Sequence, residues 1–288
     1  VRLGDSNRAL AMTTDCTPRY CAADPVTGGA QAVVETWRNL CAVGAKPLAI
    51  TDNMNFGNPE KPRIMGQFVG AVQGIRDACV ALDYPVVSGN CSLYNETSGS
   101  AIMPAPVIGG VGIIDDATKT VGIGFTRDDE CIFVIGETKG HIGHSLYLRE
   151  IFGKEEGTVP PLHLTTERRH GKFVRNHITA QDITACHDVS DGGLLVAIAE
   201  MALAGNIGCV LDIAETHASF WFGEDQARYV VTVRDPDYFI AQADSAGVPC
   251  FMLGQTGGDT LSLKGMGSVE LAALRYAREG WMPGFMAV

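Results

Sequence analysis

Residues 9–14 form a short apolar run that ends at Asp15, which predicts a strand. Between 29 and 43 the apolar residues Ala30, Val33, Val34, Trp37, Leu40 and Cys41 recur at helical spacing, and Gly44 stops that helix. A brief strand over 47–50 runs into Thr51-Asp52-Asn53. Asn58-Pro59-Glu60 then offers an N-cap followed by proline at the first helical position. The helix it opens carries Phe68, Val69, Val72, Ile75, Cys79 and Leu82 on one face. Further strands are expected at 85–87, ended by Ser88-Gly89-Asn90, and at 106–114. The order β-α-β-α-β-β predicts an α/β layer with helices on one face.

Polar text over 115–119 marks the expected boundary between a first domain, 1–117, and a second, 118–288. In the second domain strands are predicted at 131–135, 183–189, 209–213, 229–233 and 250–253. Helices are predicted at 145–152, 166–178, 193–204, 238–246 and 268–278. The fold class is therefore α/β (α+β), with two domains.

Composition narrows the function. The chain has 288 residues, 46% of them hydrophobic, enough apolar material for two cores, and a formal net charge of −11. Arg168-Arg169-His170 is the nearest approach to a basic run, so the clustered cations that a nucleic-acid partner needs are missing. The nine cysteines follow no common zinc or redox spacing and read as small buried thiols in a reducing compartment. No apolar run reaches the roughly 18 residues of a membrane span, and polar Asp5 to Arg8 interrupts any signal peptide, so no membrane partner and a cytoplasmic location are expected. Val1-Arg2-Leu3 reads directly as strand-like text, which suggests a chain cut from something longer.

Ligands of α/β sheets gather where strands end and helices begin. Two places in the first domain fit: 50–59, centred on Asp52 to Asn58, and 87–95, where Gly89 allows close backbone approach beside Asn90 and Ser92. A magnesium-bound phosphate suits such oxygens, and Asp52 suits either the metal or a purine amino group. Ordinary Asx-rich turns explain the same spacing. Neither stretch is followed by the Gly-Lys-Ser/Thr of a P-loop. In the second domain His187-Asp188-Val189-Ser190-Asp191-Gly192-Gly193 reads as strand, acidic turn and helix start, either an anion cradle or a helix capped by Ser190 or Asp191. Phe222 to Gln226 is a weaker candidate, and His141 with His144 is more simply an exposed loop than a metal pair.

Taken together, these stretches resemble the second half of the phosphoribosylformylglycinamidine synthase family, within the aminoimidazole ribonucleotide synthetase-like superfamily. Asn55-Phe56-Gly57-Asn58-Pro59 and Ser88-Gly89-Asn90 with Ser92 to Thr97 carry the resemblance most specifically. Asp15 to Tyr20, Gly44 to Leu48, His187 to Leu194 and Phe222 to Gln226 extend it over essentially the whole chain. The resemblance implies an A-type domain, a β-sheet layer covered by helices, and a B-type α/β sandwich. It also implies an ATP- and Mg2+-dependent ligase in which ATP activates the amide of formylglycinamide ribonucleotide and glutamine-derived ammonia displaces the phosphate. Carried over by motif, Asp52 and Gly89 match nucleotide-contacting positions, Asn90 a magnesium ligand and Ser92 a substrate contact. The family's catalytic histidine belongs to the other half, so no catalytic residue is expected here. His187, Asp188, Asp191, Glu224 and Gln226 mark a second, pseudo-symmetric site.

The implied partners are the missing N-terminal half, a glutaminase subunit, a small accessory subunit, and a homodimer formed through the A-domain sheet. Another ATP-dependent member of the superfamily, or a half that only scaffolds, would also fit the domain pattern. The closing Phe285-Met286-Ala287-Val288 lacks the cysteine that some of those other members carry.

Overall fold

The computed structural model describes residues 1–287. The first sheet contains β1 (Ala9–Cys16), β2 (Lys46–Asn55), β3 (Val86–Ser92) and β6 (Ala105–Ile114), with a two-residue pair, β4 (Glu96–Thr97) and β5 (Ser100–Ala101), between β3 and β6 in the chain. Its order is β1-β6-β2-β3, antiparallel except for β2 beside β3. The helices are α1 (Pro18–Ala23), α2 (Pro25–Ala42) and α3 (Pro62–Leu82). α2 starts four residues earlier than its apolar period suggests. Asp24 Oδ1 accepts from the Val26 and Thr27 amides at 3.0 and 3.1 Å, and Pro25 takes the first position, where no donor is needed. α3 starts later than expected: Asn58 closes a turn on the Glu60 amide at 2.8 Å, and Pro62 opens the helix.

Helices α2 and α3 cover one face of this sheet and cross closely. A Cβ at Gly29 or Gly74 would strike the backbone of the other helix. Ile50, Met54 and Ile108 are buried beneath them. The opposite face presents Leu10, Met12, Val107, Val111 and Ile113, half-buried or exposed, with Met12 61% exposed.

The second sheet contains β7 (Cys131–Ile135), β8 (Ile183–Asp188), β9 (Cys209–Leu211), β10 (Tyr229–Val233), β11 (Cys250–Thr256), β12 (Thr260–Leu263) and β13 (Gly267–Glu270), in the order β13-β12-β9-β11-β7-β10-β8. Its helices are α4 (Leu146–Phe152), α5 (Leu164–Ala180), α6 (Gly193–Gly205), α7 (Ala218–Phe222), α8 (Pro236–Ala246), α9 (Leu271–Glu279) and α10 (Trp281–Met286). The helix expected over 268–278 begins instead at Leu271, because 267–270 pairs with β12. Every residue of β7 and β10 is buried, so these strands are covered on both faces and read as unbroken apolar runs. Phe133, Ile135 and Val231 join α5 and the first-domain helix α2 in one core. Ile132, Val134 and Val230 pack on the other side with Ile198 and Met201 of α6.

The domains meet along α2 and α5. Gly171 has no side chain because the ring of Trp37 occupies that space. Beside it Arg38 and Glu167 pair at 3.8 Å, both completely buried. Burial pushes the Glu167 carboxyl up to about 6 against the pull of Arg38. Of the cysteines, six are buried, Cys16 and Cys250 are half-buried, and Cys91 is exposed.

Candidate functional site

The segments read as loops at 52–55 and 88–92 are strand: β2 and β3 run to Asn55 and Ser92. Their parallel register sets Asp52 beside Gly89, Asn53 beside Asn90, and Asn55 beside Ser92. Side chains alternate across the sheet, so the four predicted residues separate into two pairs. Asp52 lies on the helix-covered side, next to the space above Gly89, where any Cβ would overlap its Oδ1. Glycine at 89 is what admits the carboxylate. Burial raises the pKa of Asp52, and the Asn90 backbone amide partly offsets this.

Asn90 and Ser92 lie on the uncovered side. Asn90 donates its amide Nδ2 to Asn53 Oδ1 at 3.2 Å, which leaves its own carbonyl oxygen turned outward. Ser92 Oγ is held by Asn95 Nδ2 at 3.1 Å, and the same Nδ2 reaches the carbonyls of Ser92 and Phe56 at 2.8 and 3.1 Å. Asn95 therefore ties the end of β3 to the segment after β2. Lys61 and Glu96, 2.6 Å apart, add a second tie. Beneath the edge, on the helix side, a groove of about 450 Å³ is lined by Asp52, Val72, Ile75, Cys79, Tyr84 and Val86. Arg76 and Asp83 also line it, and a largely apolar slot with the Asp52 carboxylate in its wall suits a flat heterocycle that bears an amino group.

The uncovered side offers hard neutral oxygens from Asn53, Asn90 and Ser92 and no carboxylate. This fits part of a magnesium shell, with the charged ligands coming from elsewhere. Among the described residues no group of three or more His, Cys, Asp or Glu is arranged to hold a metal ion. His141, read as part of an exposed loop rather than of a metal pair, contacts the Thr158 carbonyl through Nε2 at 2.7 Å.

In the second domain the predicted residues are gathered near one another, and most of their polar atoms have protein partners, the buried Asp188 Oδ2 being an exception. His187 sits between Asp188, 3.1 Å from Nδ1, and Glu200, 3.0 Å from Nε2. Burial alone would lower its pKa, yet these two carboxylates raise it to about 9, so the ring is an imidazolium. Neither Ser190 nor Asp191 caps α6; Gly192 stands at that position. Asp191 turns away to pair with Arg19 at 2.6 Å. Glu224 accepts from the Leu146 and Gly192 amides at 2.7 and 2.9 Å and from the Tyr20 hydroxyl. Gln226 accepts from Arg38 at 3.2 Å and donates to the Glu224 carbonyl at 3.3 Å. Arg19, Tyr20 and Arg38 come from the first domain, and nothing in residue spacing links them to positions 191 and 224.

Comparison with known proteins places this geometry. Residues 1–114 match the family model "AIR synthase related protein, N-terminal domain", and residues 127–264 match its C-terminal domain. The chain is 59% identical over 292 residues to the phosphoribosylformylglycinamidine synthase subunit PurL of Rhodopseudomonas palustris (strain TIE-1), covering 99% of this chain and 40% of that relative's length. Among solved structures, T. maritima PurL complexed with ATP superposes with a TM-score of 0.74 at 16% identity, over 94% of this chain and 46% of that one. The structure of PurLQS from Thermotoga maritima gives 0.74 at 16% identity, over 92% and 44%. Among the described residues no helix is long and apolar enough to cross a membrane. With both domains matched in order and this identity along nearly its full length, the chain belongs to the AIR synthase related proteins, on the branch of the phosphoribosylformylglycinamidine synthase subunits.

Proposed function

We propose that this chain supplies the nucleotide- and magnesium-facing edge of an ATP-dependent carbon–nitrogen ligase that makes formylglycinamidine ribonucleotide from formylglycinamide ribonucleotide and glutamine-derived ammonia. The observation that carries this reading is the β2–β3 edge. Asp52 and Gly89 open a groove on one side of the sheet, while the Asn90 carbonyl and Ser92 lie on the other. A nucleotide laid over this edge would place its base in the groove at Asp52, where the carboxylate accepts from an exocyclic amine. Its phosphates would then cross toward Asn90. A magnesium ion, when bound, supplies charge neutralisation for phosphoryl transfer. Asn90 would give it one neutral oxygen, and Ser92 would orient the second substrate.

The first domain, taken as 1–117, leaves one apolar sheet face uncovered around Leu10, Met12, Val107 and Val111. That face supports packing of the other half of the protein against it, which would bring the general base and acidic metal ligands to Asn90. Without that half, a second copy of this chain is the natural cover, giving a homodimer. A glutaminase subunit and a small accessory subunit complete the reading, in keeping with the PurLQS assembly of Thermotoga maritima, and the cytoplasm is the compartment this chemistry needs.

The test uses this chain with and without the complementary half. Alone it should give no turnover with ammonia as nitrogen source; turnover by the lone chain would refute the composite site. In the reassembled protein, Asp52→Asn should weaken ATP binding by about 10- to 100-fold in calorimetry, from loss of one buried charged hydrogen bond. Unchanged affinity in a folded variant would remove Asp52 from the nucleotide site. Should neither form bind nucleotide, the scaffold reading is favoured.

A further inference from the structure

Five backbone amides of the second domain converge on two neighbouring carboxylates. Asp225 accepts from Lys139 and Gly140 at 3.0 and 2.8 Å through Oδ2, and from His141 at 3.3 Å through Oδ1. Glu224 takes the Leu146 and Gly192 amides on Oε1, while Oε2 receives the Tyr20 hydroxyl, with Arg19 3.7 Å away. Successive amides turned to one point, in a glycine-rich segment after a strand, are the usual receptor for a phosphate oxygen. Here the receptor is full.

Glycine makes the convergence physically possible. A Cβ at Gly193 would stand 2.7 Å from the Gly223 carbonyl, and one at Gly223 would stand 2.8 Å from the Gly140 Cα. Gly140 and Gly192 also hold positive φ, at +76° and +84°, which side chains resist. Three loops can therefore meet with no side chain between them. Arg228, itself fully buried, braces the turn from behind through the Gly223 carbonyl at 2.6 Å, the Asp225 carbonyl at 3.0 Å and Thr138 at 3.1 Å. From the first domain Arg19 bridges Asp191 and the His144 carbonyl, and Tyr20 reaches Glu224, so the same junction is sealed across the domain boundary.

We propose that Glu224 and Asp225 are resident anions: they fill a phosphate-type amide cradle with the chain's own carboxylates, so that this second site clasps the domains together and takes no exchangeable oxyanion. The cradle is latent rather than absent. Removing the Asp225 carboxylate leaves three amides aimed at a space of oxyanion chemistry, which inorganic phosphate can enter. The inference does not depend on the Asp52 edge, since any phosphate bound there is common to every form compared.

Equilibrium dialysis with inorganic phosphate, on the unsubstituted chain and on Asp225→Ser, tests it. The variant should take up about one additional phosphate, at least about tenfold more tightly than the unsubstituted chain at that locus. Its Tm should rise with phosphate and not with chloride at equal ionic strength. A folded Asp225→Ser that gains no phosphate overturns the proposal. So does an unsubstituted chain that loses a bound phosphate on this substitution. Hydrogen exchange on the unsubstituted chain decides the matter if the variant does not fold. The Lys139, Gly140 and His141 amides should be protected without any added anion, and phosphate should leave their rates unchanged. Exchange that slows on adding phosphate shows an open receptor and overturns the clasp.

Discussion

The β2–β3 edge and the 224–228 turn both carry carboxylate and carboxamide side chains and differ in what their polar atoms already hold. At the edge, the Asn90 carbonyl has no protein partner and Gly89 is exposed, with the Asp52 carboxylate filling the space above it. At the turn, both oxygens of Asp225 and both of Glu224 accept from the chain itself. Buried polar groups are satisfied in native folds, so a saturated cluster stabilises the fold, and ligand capacity belongs where saturation is incomplete. Residue type alone does not separate the two regions. Saturation does.

The largest effect should come from removing the buried cation at the domain contact, beside the 224–228 turn. Arg38 is the buried cation facing Glu167, Glu35 and Asp188. Arg38→Ala strands those carboxylates at the domain contact and should remove about 3–5 kcal/mol of unfolding free energy in denaturant titrations. A loss below about 1 kcal/mol would mean that the carboxylates take up protons and the region is not built on charge. Next in size is a change at the edge that touches binding but hardly touches folding. In Gly89→Ala the new methyl occupies the place of Asp52 Oδ1 and turns the carboxylate out of the groove. Nucleotide affinity of the reassembled protein should fall by about 10-fold or more, while unfolding free energy moves by less than about 1 kcal/mol, as expected of an exposed edge strand. Equal losses in both measurements would erase the distinction between the regions.

Much of the fold was legible because apolar spacing follows burial: the period of α2 and the unbroken runs of β7 and β10 point directly at what they pack against. Boundaries set by pairing were not. Asp52 to Asn55 read as a loop because polar residues rarely fill a strand, yet this strand end pairs with both β6 and β3 while the uncovered face of the sheet leaves room for polar side chains. Residues 268–270 read as helix because their partner strand, β12, gives no sign in the local pattern. The site divides the same way. Positions 52, 89, 90 and 92 were legible through their two short motifs, whereas the parallel pairing that brings those motifs into register is set by the fold. The Arg19–Asp191 and Tyr20–Glu224 links join residues 172 and 204 positions apart and depend wholly on the tertiary fold.

A smaller effect separates the regions by pH. His187 gains its proton affinity from Asp188 and Glu200 in the folded chain, where its pKa is raised to about 9, above the ordinary value of about 6.5. A raised folded pKa gives stability that is fully present below about pH 6.5 and is lost as pH climbs through about 9. Unfolding free energy should therefore drop by roughly 1–3 kcal/mol between pH 6 and pH 9.5, and His187→Gln should flatten that slope. Nucleotide affinity at the Asp52 edge should not follow the same curve. A slope that survives the substitution would assign the loss to another group.

The smallest change tests whether the edge is held as firmly as the turn. Asn95 contributes one side-chain NH2 group to the carbonyls of Ser92 and Phe56, while its own backbone amide already donates to the Phe56 carbonyl at 3.1 Å and that of Tyr94 to Gly57 at 3.0 Å. Asn95→Ala keeps the backbone pair and removes the side-chain tie, so about 1 kcal/mol should be lost, with faster amide exchange over 56–58. Asn95→Asp should cost more than Ala, because a carboxylate would face those two carbonyl oxygens with no donor to give. If alanine instead proves neutral and exchange is unchanged, the backbone alone fixes the edge. Its side chains would then be free for a ligand to a degree that the 224–228 turn never reaches.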